Sequence, residues 1–244
     1  MKYNNIVLVG GSGLIGNSVA NYLLSKSRNV YVIDKIRPLN KDIPFFKSIK
    51  SDENSIDKTL KKIIKKEKKV DALINCAYPL TTFSYSKENK INRYKISYEF
   101  NNHFGFFYNY TKVYLNYFLK KKFGQIINFS SIYGLSVPRF KIYQGTNLHM
   151  PLQYGISKTS INYLTKFYAE KYKNSNVKLN IISPGGIYNN QNKKFVRNYS
   201  KFTTSKRMLN PEDLNFVLNS LICKKNKVSG KNFVVDHGFL KSKK

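Results

Sequence analysis

The spacing Tyr-x-x-x-Lys occurs five times in this chain of 244 residues, at Tyr22/Lys26, Tyr31/Lys35, Tyr108/Lys112, Tyr117/Lys121 and Tyr154/Lys158. On a helix it sets a phenol and an ammonium on one face, a turn apart. The chemistry open to such a pair is proton transfer at a substrate oxygen. A phenol with an ordinary pKa near 10 must come down by about 3 pH units, about 4 kcal/mol, to work at neutral pH, and a neighbouring ammonium stabilises the phenolate. In a chain with 19 Tyr and 43 Lys plus Arg, the spacing alone carries no weight. Context separates one instance from the rest. Tyr154 opens a helical pattern downstream of a serine at a strand end, Ser131, and upstream of a strand closing in Pro184-Gly185, whereas Tyr31 lies inside a strand.

A second constellation is GGSGLIG after the first apolar run, with Gly10, Gly13 and Gly16 three apart. Glycines at a strand-to-helix turn let the backbone turn tightly and approach a pyrophosphate, which the helix N-terminus attracts through free amides and a partial positive charge. An acid, Asp34, ends the second apolar run 18 residues beyond Gly16. A carboxylate there accepts from both ribose hydroxyls of a dinucleotide and repels a 2′-phosphate, so NAD is expected ahead of NADP. Lys35 and Arg37 follow closely and keep the phosphorylated cofactor open.

These residues need a scaffold, and the pattern between them supplies one. Asn5 to Gly10, Asn29 to Asp34, Asp71 to Ala77, Gly124 to Ser130, Val177 to Pro184 and Lys231 to Asp236 read as buried strands, with a weaker one at Phe46 to Lys50. Helical patterns lie between them at Leu14 to Ser27, Ser55 to Lys68, Glu99 to Lys120, Gly155 to Lys173 and Pro211 to Cys223. Short, wholly apolar strands separated by helices predict an α/β fold, a Rossmann-type doubly wound parallel sheet of about seven strands, with ligands at the carboxyl ends of the strands. No repeat or linker divides the chain, so residues 1–244 are expected to form a single domain.

Composition narrows the function. The formal charge of +30 suggests nucleic acid, but Arg is scarce, the lysines are spread along the whole chain, and Lys58 to Lys69 reads as the solvated face of an amphipathic helix. A polyanion-binding protein stays a weaker alternative, and specific nucleic-acid binding is not expected. No apolar run approaches the length of a membrane span, and MKYNNIVLVGGSG reads as a strand and turn, not a signal peptide. Cys76 and Cys223 have neither disulfide nor metal spacing, and His103, His149 and His237 add no metal site. A cytoplasmic location is expected.

The ordered set of motifs resembles the short-chain dehydrogenase/reductase family across nearly the whole length. The resemblance rests on the glycine turn, Asp52 in KSDEN, Asn75 and Ala77 in NCAY, Asn102 in NNHFG, Ser131 in NFSSIYG, Tyr154 with Lys158, and Pro184-Gly185 in SPGGI. It implies a nicotinamide cofactor held by Gly10, Ser12, Gly13, Leu14, Ile15, Gly16, Asp34, Asp52, Asn75, Ala77, Tyr154, Lys158, Pro184, Gly185 and Ile187. It implies Tyr154 as acid/base, Lys158 as the residue that lowers its pKa and holds the ribose, and Ser131 as the donor to the substrate oxygen. Asn102 would hold a water relaying protons from Lys158. The neighbours Ser130 and Asn101 leave both of those registers open by one residue. Leu14 in the turn and Tyr78 in place of the commonest Gly depart from the usual pattern.

Between Ser131 and Tyr154 stand 22 residues, a longer gap than is usual in the family. This insertion, residues 136–151, is expected to overhang the substrate side, and its Arg139, Tyr143, Gln144 and His149 suit an anionic, hydroxyl-rich ligand. Residues 188–208, with Gln191, Lys193, Lys194 and Arg197, resemble the family's mobile flap. SSIYGLSVPRFKIYQGT, SPGGIYNNQ and NCAYP are similar to a narrower group, the oxidoreductases of flagellin modification and legionaminic-type acid synthesis. The expected substrate is therefore a sugar, sugar phosphate or sugar nucleotide, and the expected assembly a homodimer or homotetramer through the Glu99 to Lys120 and Gly155 to Lys173 helices. A 3-oxoacyl-carrier-protein reductase and a non-catalytic cofactor-binding regulator are the competing readings.

Overall fold

The computed structural model describes residues 3–48, 50–81, 92–223 and 227–242. Its centre is one seven-stranded sheet in the order β3-β2-β1-β4-β5-β6-β7, with every adjacent pair parallel. The strands are β1 Asn5–Val9, β2 Asn29–Asp34, β3 Phe45–Lys47, β4 Ala72–Asn75, β5 Gly124–Phe129, β6 Val177–Pro184 and β7 Asn232–Val235. The order reverses between β1 and β4, and the crevice at that switch point is where such sheets bind ligands.

Strand alternation builds the two faces. Ile6 and Leu8 of β1 join a core with Val19, Ala20 and Leu23 of α1 (Leu14–Ser25) and with Leu218 and Leu221 of α7 (Asn215–Leu221). Val7 and Val9 point the other way, onto Ile56, Leu60 and Ile63 of α2 (Glu53–Glu67) and Tyr110, Tyr114 and Phe118 of α4 (Phe106–Lys120). Because both faces are covered, the strands are apolar at nearly every position, which is why they read as unbroken runs. The lysines of α2 stand opposite its buried stripe, the amphipathic arrangement expected of Lys58 to Lys69.

Three elements differ from expectation. The helix expected from Glu99 begins earlier, as α3 (Arg93–Phe100), capped by the Asn92 side chain, and reaches α4 through a π-turn at Asn101–Gly105. The helix carrying Tyr154, α5, spans Leu152–Lys171, so Tyr154 sits in its first turn. The patternless flap contains α6 (Lys193–Ser200), whose Phe195 and Tyr199 are buried with Ile132, Tyr133, Ile142 and Phe239 in a third core beneath the insertion. The base of the flap is clamped, with Tyr188 N–H donating to the Leu209 carbonyl at 2.7 Å and Leu209 N–H to the Gly186 carbonyl at 2.9 Å.

Candidate active site

The glycine turn is tight where packing demands it and open where it does not. Gly10 has φ +80°, and a Cβ there would lie 2.5 Å from the Ala77 Cα. At Gly16 a Cβ would come within 2.0 Å of the Gly10 carbonyl oxygen. Gly13 is different, for its nearest neighbour would be 3.6 Å away. Gly13 is also the N-cap of α1, which has no side-chain cap and no acid in its first turn. Its missing Cβ keeps open the space in front of uncapped amides, a cradle that suits a pyrophosphate.

Asp34, at the end of β2, lies across the same turn. Its carboxylate accepts from Ser12 N–H at 2.9 Å and Lys35 N–H at 2.6 Å, and an ionised carboxylate retains further lone pairs for ribose hydroxyls. Arg37 is folded onto its own loop, donating to the Lys41 carbonyl at 2.9 Å. Asp52 is the N-cap of α2, its oxygens accepting from Ser55 N–H at 3.0 Å and Ser55 Oγ at 2.8 Å. At the ends of β4 and β6, the side-chain polar atoms of Asn75 and Ser183 are buried with no hydrogen-bond partner among the described residues. Such orphans are uncommon in a finished core and fit a site completed by a bound polar group. Gly185 follows Pro184 with its N–H on the Val235 carbonyl, and Ile187 bridges to Leu209.

One turn beyond Tyr154, Lys158 is 6% exposed. Its ammonium donates to the Phe129 carbonyl at 3.2 Å and lies 5.2 Å from the Phe107 ring centre, 5.6 Å from that of Tyr154 and 5.8 Å from that of Tyr78. Burial pushes the Lys158 pKa down to about 8. Tyr78, standing where the family most often has glycine, also meets Tyr154 edge-on at 5.4 Å.

The two adjacent serines differ in their hydroxyl partners. Ser130 donates its hydroxyl to the Lys158 carbonyl at 3.0 Å, which ties β5 to α5. Ser131 Oγ instead accepts from Tyr133 N–H at 3.2 Å, so its own proton remains for another acceptor. Gly134 holds the turn flush on α5: a Cβ there would lie 2.8 Å from each of Asn162 Nδ2, the Lys158 carbonyl carbon and Ser130 Oγ. Sequence reading overlooked Gly134, because only its contact with α5 gives it a task.

The π-turn places neighbouring polar side chains differently. Asn102 donates its side-chain amide back to the Tyr98 carbonyl at 2.8 Å. The buried residue is His103, its ring tilted against that of Tyr78 with ring centres 4.5 Å apart. The extra residue of the π-turn changes which side chain is buried, and no sequence pattern marked His103.

Within the insertion, Tyr143 donates its hydroxyl to that of Tyr133 at 3.2 Å, and both pack in the cluster that holds Tyr154. Burial pushes the Tyr143 pKa up to about 12 and that of Tyr133 higher still, so both phenols stay protonated. His149 Nε2 is buried without a hydrogen-bond partner among the described residues. Arg139 is held elsewhere: its guanidinium donates to the Phe239 and Ser242 carbonyls and lies over the Phe202 and Phe239 rings at 4.9 and 5.4 Å. Gln144 lines a separate surface cleft of about 460 Å³ with Lys141, Lys194 and Lys201.

Comparisons with known proteins agree with this geometry. The short chain dehydrogenase family model matches residues 4–200. The post-translational flagellin modification protein A of Campylobacter coli is 30% identical over 98% of this chain and 99% of its own. A short chain dehydrogenase from Leptospira borgpetersenii, solved with bound NAD+, superposes with a TM-score of 0.87 at 26% identity, covering 98% of this chain and 94% of that one. ElxO with NADP bound shares the fold, with a TM-score of 0.82 at 23% identity over 99% of this chain and all of its own. No helix among the described residues is long and apolar enough to cross a membrane. With a family model covering most of its length, the chain belongs to the short-chain dehydrogenases, oxidoreductases that use nicotinamide cofactors.

Proposed function

We propose that this oxidoreductase uses NAD in preference to NADP to interconvert an alcohol and a carbonyl on a sugar, sugar phosphate or sugar nucleotide, as a homo-oligomeric cytoplasmic enzyme of surface-glycan synthesis. The observation that carries the substrate class is the polar wall beside Tyr154. Tyr133 and Tyr143 present protonated phenols there, and elsewhere in the insertion Nε2 of His149 is buried without a hydrogen-bond partner among the described residues. Hydrogen-bonding groups of this kind serve a ligand rich in hydroxyls and would be left unpaired by an acyl chain. The likeness to a flagellin modification protein over nearly the full length supports the same reading. Asp34 supports NAD, since its carboxylate stands where a 2′-phosphate would add like charge.

A bound nicotinamide cofactor would supply the hydride chemistry. The chain's residues do the rest. Ser131 donates its free hydroxyl proton to the substrate oxygen, Tyr154 gives or takes the proton at that oxygen, and Lys158 stabilises the phenolate between turnovers. The glycine turn and Asp34 hold the dinucleotide, and Asn75, Ala77, Pro184 and Ile187 border it.

The test is turnover with NADH and NADPH against a panel of free and nucleotide-activated ketosugars and 3-oxoacyl thioesters. Reduction of a sugar, with kcat/KM for NADH about tenfold or more above that for NADPH, is expected. Turnover of acyl thioesters alone would favour a carrier-protein reductase. Absence of any turnover, with nucleotide binding intact, would leave a cofactor-binding regulator.

A further inference from the structure

The Lys158 ammonium is buried with little to balance its charge. Among the described residues no carboxylate pairs with it, and its hydrogen bond runs to a single neutral acceptor, the Phe129 carbonyl, although an ammonium has three donors. What surrounds it instead is aromatic. The nitrogen lies over the rings of Phe107, Tyr154 and Tyr78, at 5.2, 5.6 and 5.8 Å from their centres. Within about 6 Å the negative face of a ring attracts a cation, most strongly where water is excluded. The three rings differ in what else they do. Phe107 is a core side chain of α4 and Tyr154 carries the chemistry. Tyr78 comes from the segment after β4, is only partly buried, and stands where the family most often has glycine, which offers no ring. It is itself held by rings, with Tyr154 edge-on at 5.4 Å and His103 tilted against it at 4.5 Å.

We propose that Tyr78 is a positioning residue for the Tyr154–Lys158 pair, its ring face keeping the buried Lys158 ammonium charged beside the Tyr154 phenol. The proposal deepens the oxidoreductase reading and rests on it. Tyr78 exchanges no proton in this role. Burial disfavours the ammonium, and each ring face opposes that loss, so the lysine holds its proton to higher pH with the Tyr78 ring than without it. A charged Lys158 in turn stabilises the Tyr154 phenolate. Among the described residues, the titratable groups around the ammonium are Tyr154 on α5, Cys76 and Tyr78 after β4, and His103 in the π-turn between α3 and α4. Phe107 of α4 and the Phe129 carbonyl at the end of β5 add no titrating group.

Two arms test this on the full-length protein. The first needs no substrate: NMR of 13C-labelled lysine follows the titration of Lys158, whose signal is assigned by its loss in Lys158→Met. Tyr78→Leu, apolar but without a ring, should lower the Lys158 pKa by about one pH unit, and Tyr78→Phe should leave it within a few tenths of a unit. Tyr78→Met, longer than leucine and also without a ring, should behave as Tyr78→Leu does. A Lys158 titration in both ringless variants that matches the wild type overturns the proposal. So does a rise, which would make Tyr78 a plug against water, and so does a fall in Tyr78→Phe as large as in Tyr78→Leu, which would assign the effect to the hydroxyl. In the second arm, alcohol oxidation of a substrate from the panel is followed against pH. Tyr78→Leu should lower kcat near neutral pH by about tenfold, leave both KM values within about threefold, and move the rising limb of the pH profile, which reports the Tyr154 phenolate, to higher pH. Tyr78→Phe should restore both kcat and the profile. A loss of kcat with the profile unmoved overturns the electrostatic role. If no panel member turns over, the functional reading fails, and the NMR arm still decides whether the Tyr78 ring holds the charge on Lys158.

Discussion

The ends of β4, β5 and β6 and the 136–151 insertion both border Tyr154, yet their polar side chains are held in different ways. Around the strand ends three groups are fixed by backbone: Lys158 of α5 by the Phe129 carbonyl, Ser131 after β5 by the Tyr133 amide, and Asp34 at the end of β2 by the Ser12 and Lys35 amides. In the insertion only part of the polar set faces Tyr154. Tyr143 joins Tyr133 there, Gln144 opens on a separate lysine-lined cleft, and Arg139 is bound to the C-terminal segment. Side chains at strand ends inherit their place from the sheet. Residue type in a long loop says which ligand it could bind, but not which residue turns toward it.

The largest effect expected is at Tyr154, in the first turn of α5. Tyr154→Phe removes the transferable proton and leaves the ring against Tyr78 and Lys158, so kcat should fall by about 1,000-fold, while NAD affinity by calorimetry stays within a few fold. Retained turnover would mean that the ordered wall is scaffolding and that the chemistry sits in the insertion.

A smaller effect concerns stability. Lys158 titrates near 8 in the folded chain because burial disfavours the ammonium, and near 10.4 when unfolded. Below about pH 8 both states hold the proton and the folded chain bears the full cost of burying it, about 3 kcal/mol from the separation of the two values. Between those values the unfolded chain binds the extra proton, so stability gained from this group rises with pH. Lys158→Met should therefore be inactive yet more stable than the wild type below pH about 8, and the advantage should shrink as pH climbs toward about 10.4. Urea unfolding of both proteins along that range measures the difference. A gap that does not change with pH would show that Lys158 is not desolvated.

The fold was legible because parallel strands covered on both faces leave continuous apolar runs, and the glycine turn, Asp34 and the Tyr154–Lys158 pair each have a fixed address relative to a strand. What escaped reading depends on helical phase or on distant partners. Asn101, Asn102 and His103 are adjacent polar residues, and only the π-turn decides that His103 is the buried one. Helix α6 hides in the sequence because its buried Phe195 and Tyr199 stand among Lys193, Lys194 and Arg197, giving an apolar stripe of two residues. Ser130 and Ser131 look alike until the Lys158 carbonyl claims the first.

Arg139 gives the sharpest test of the contrast between the two walls. As a cation in a loop near the site it invites a substrate anion, but its partner carbonyl at Phe239 lies 100 residues along the chain, a pairing that no local pattern could reveal. Arg139→Met keeps a stem to pack on Phe202 and Phe239 and removes the donors. Two backbone carbonyls then lose their partner, and unfolding free energy should fall by about 1–2 kcal/mol, with the substrate KM moving less than about twofold. Chemical denaturation and steady-state kinetics on the same preparation read both quantities. A tenfold rise in KM at unchanged stability would place the guanidinium on the substrate, and the polar side chains of the insertion would then serve the ligand as fully as those at the strand ends.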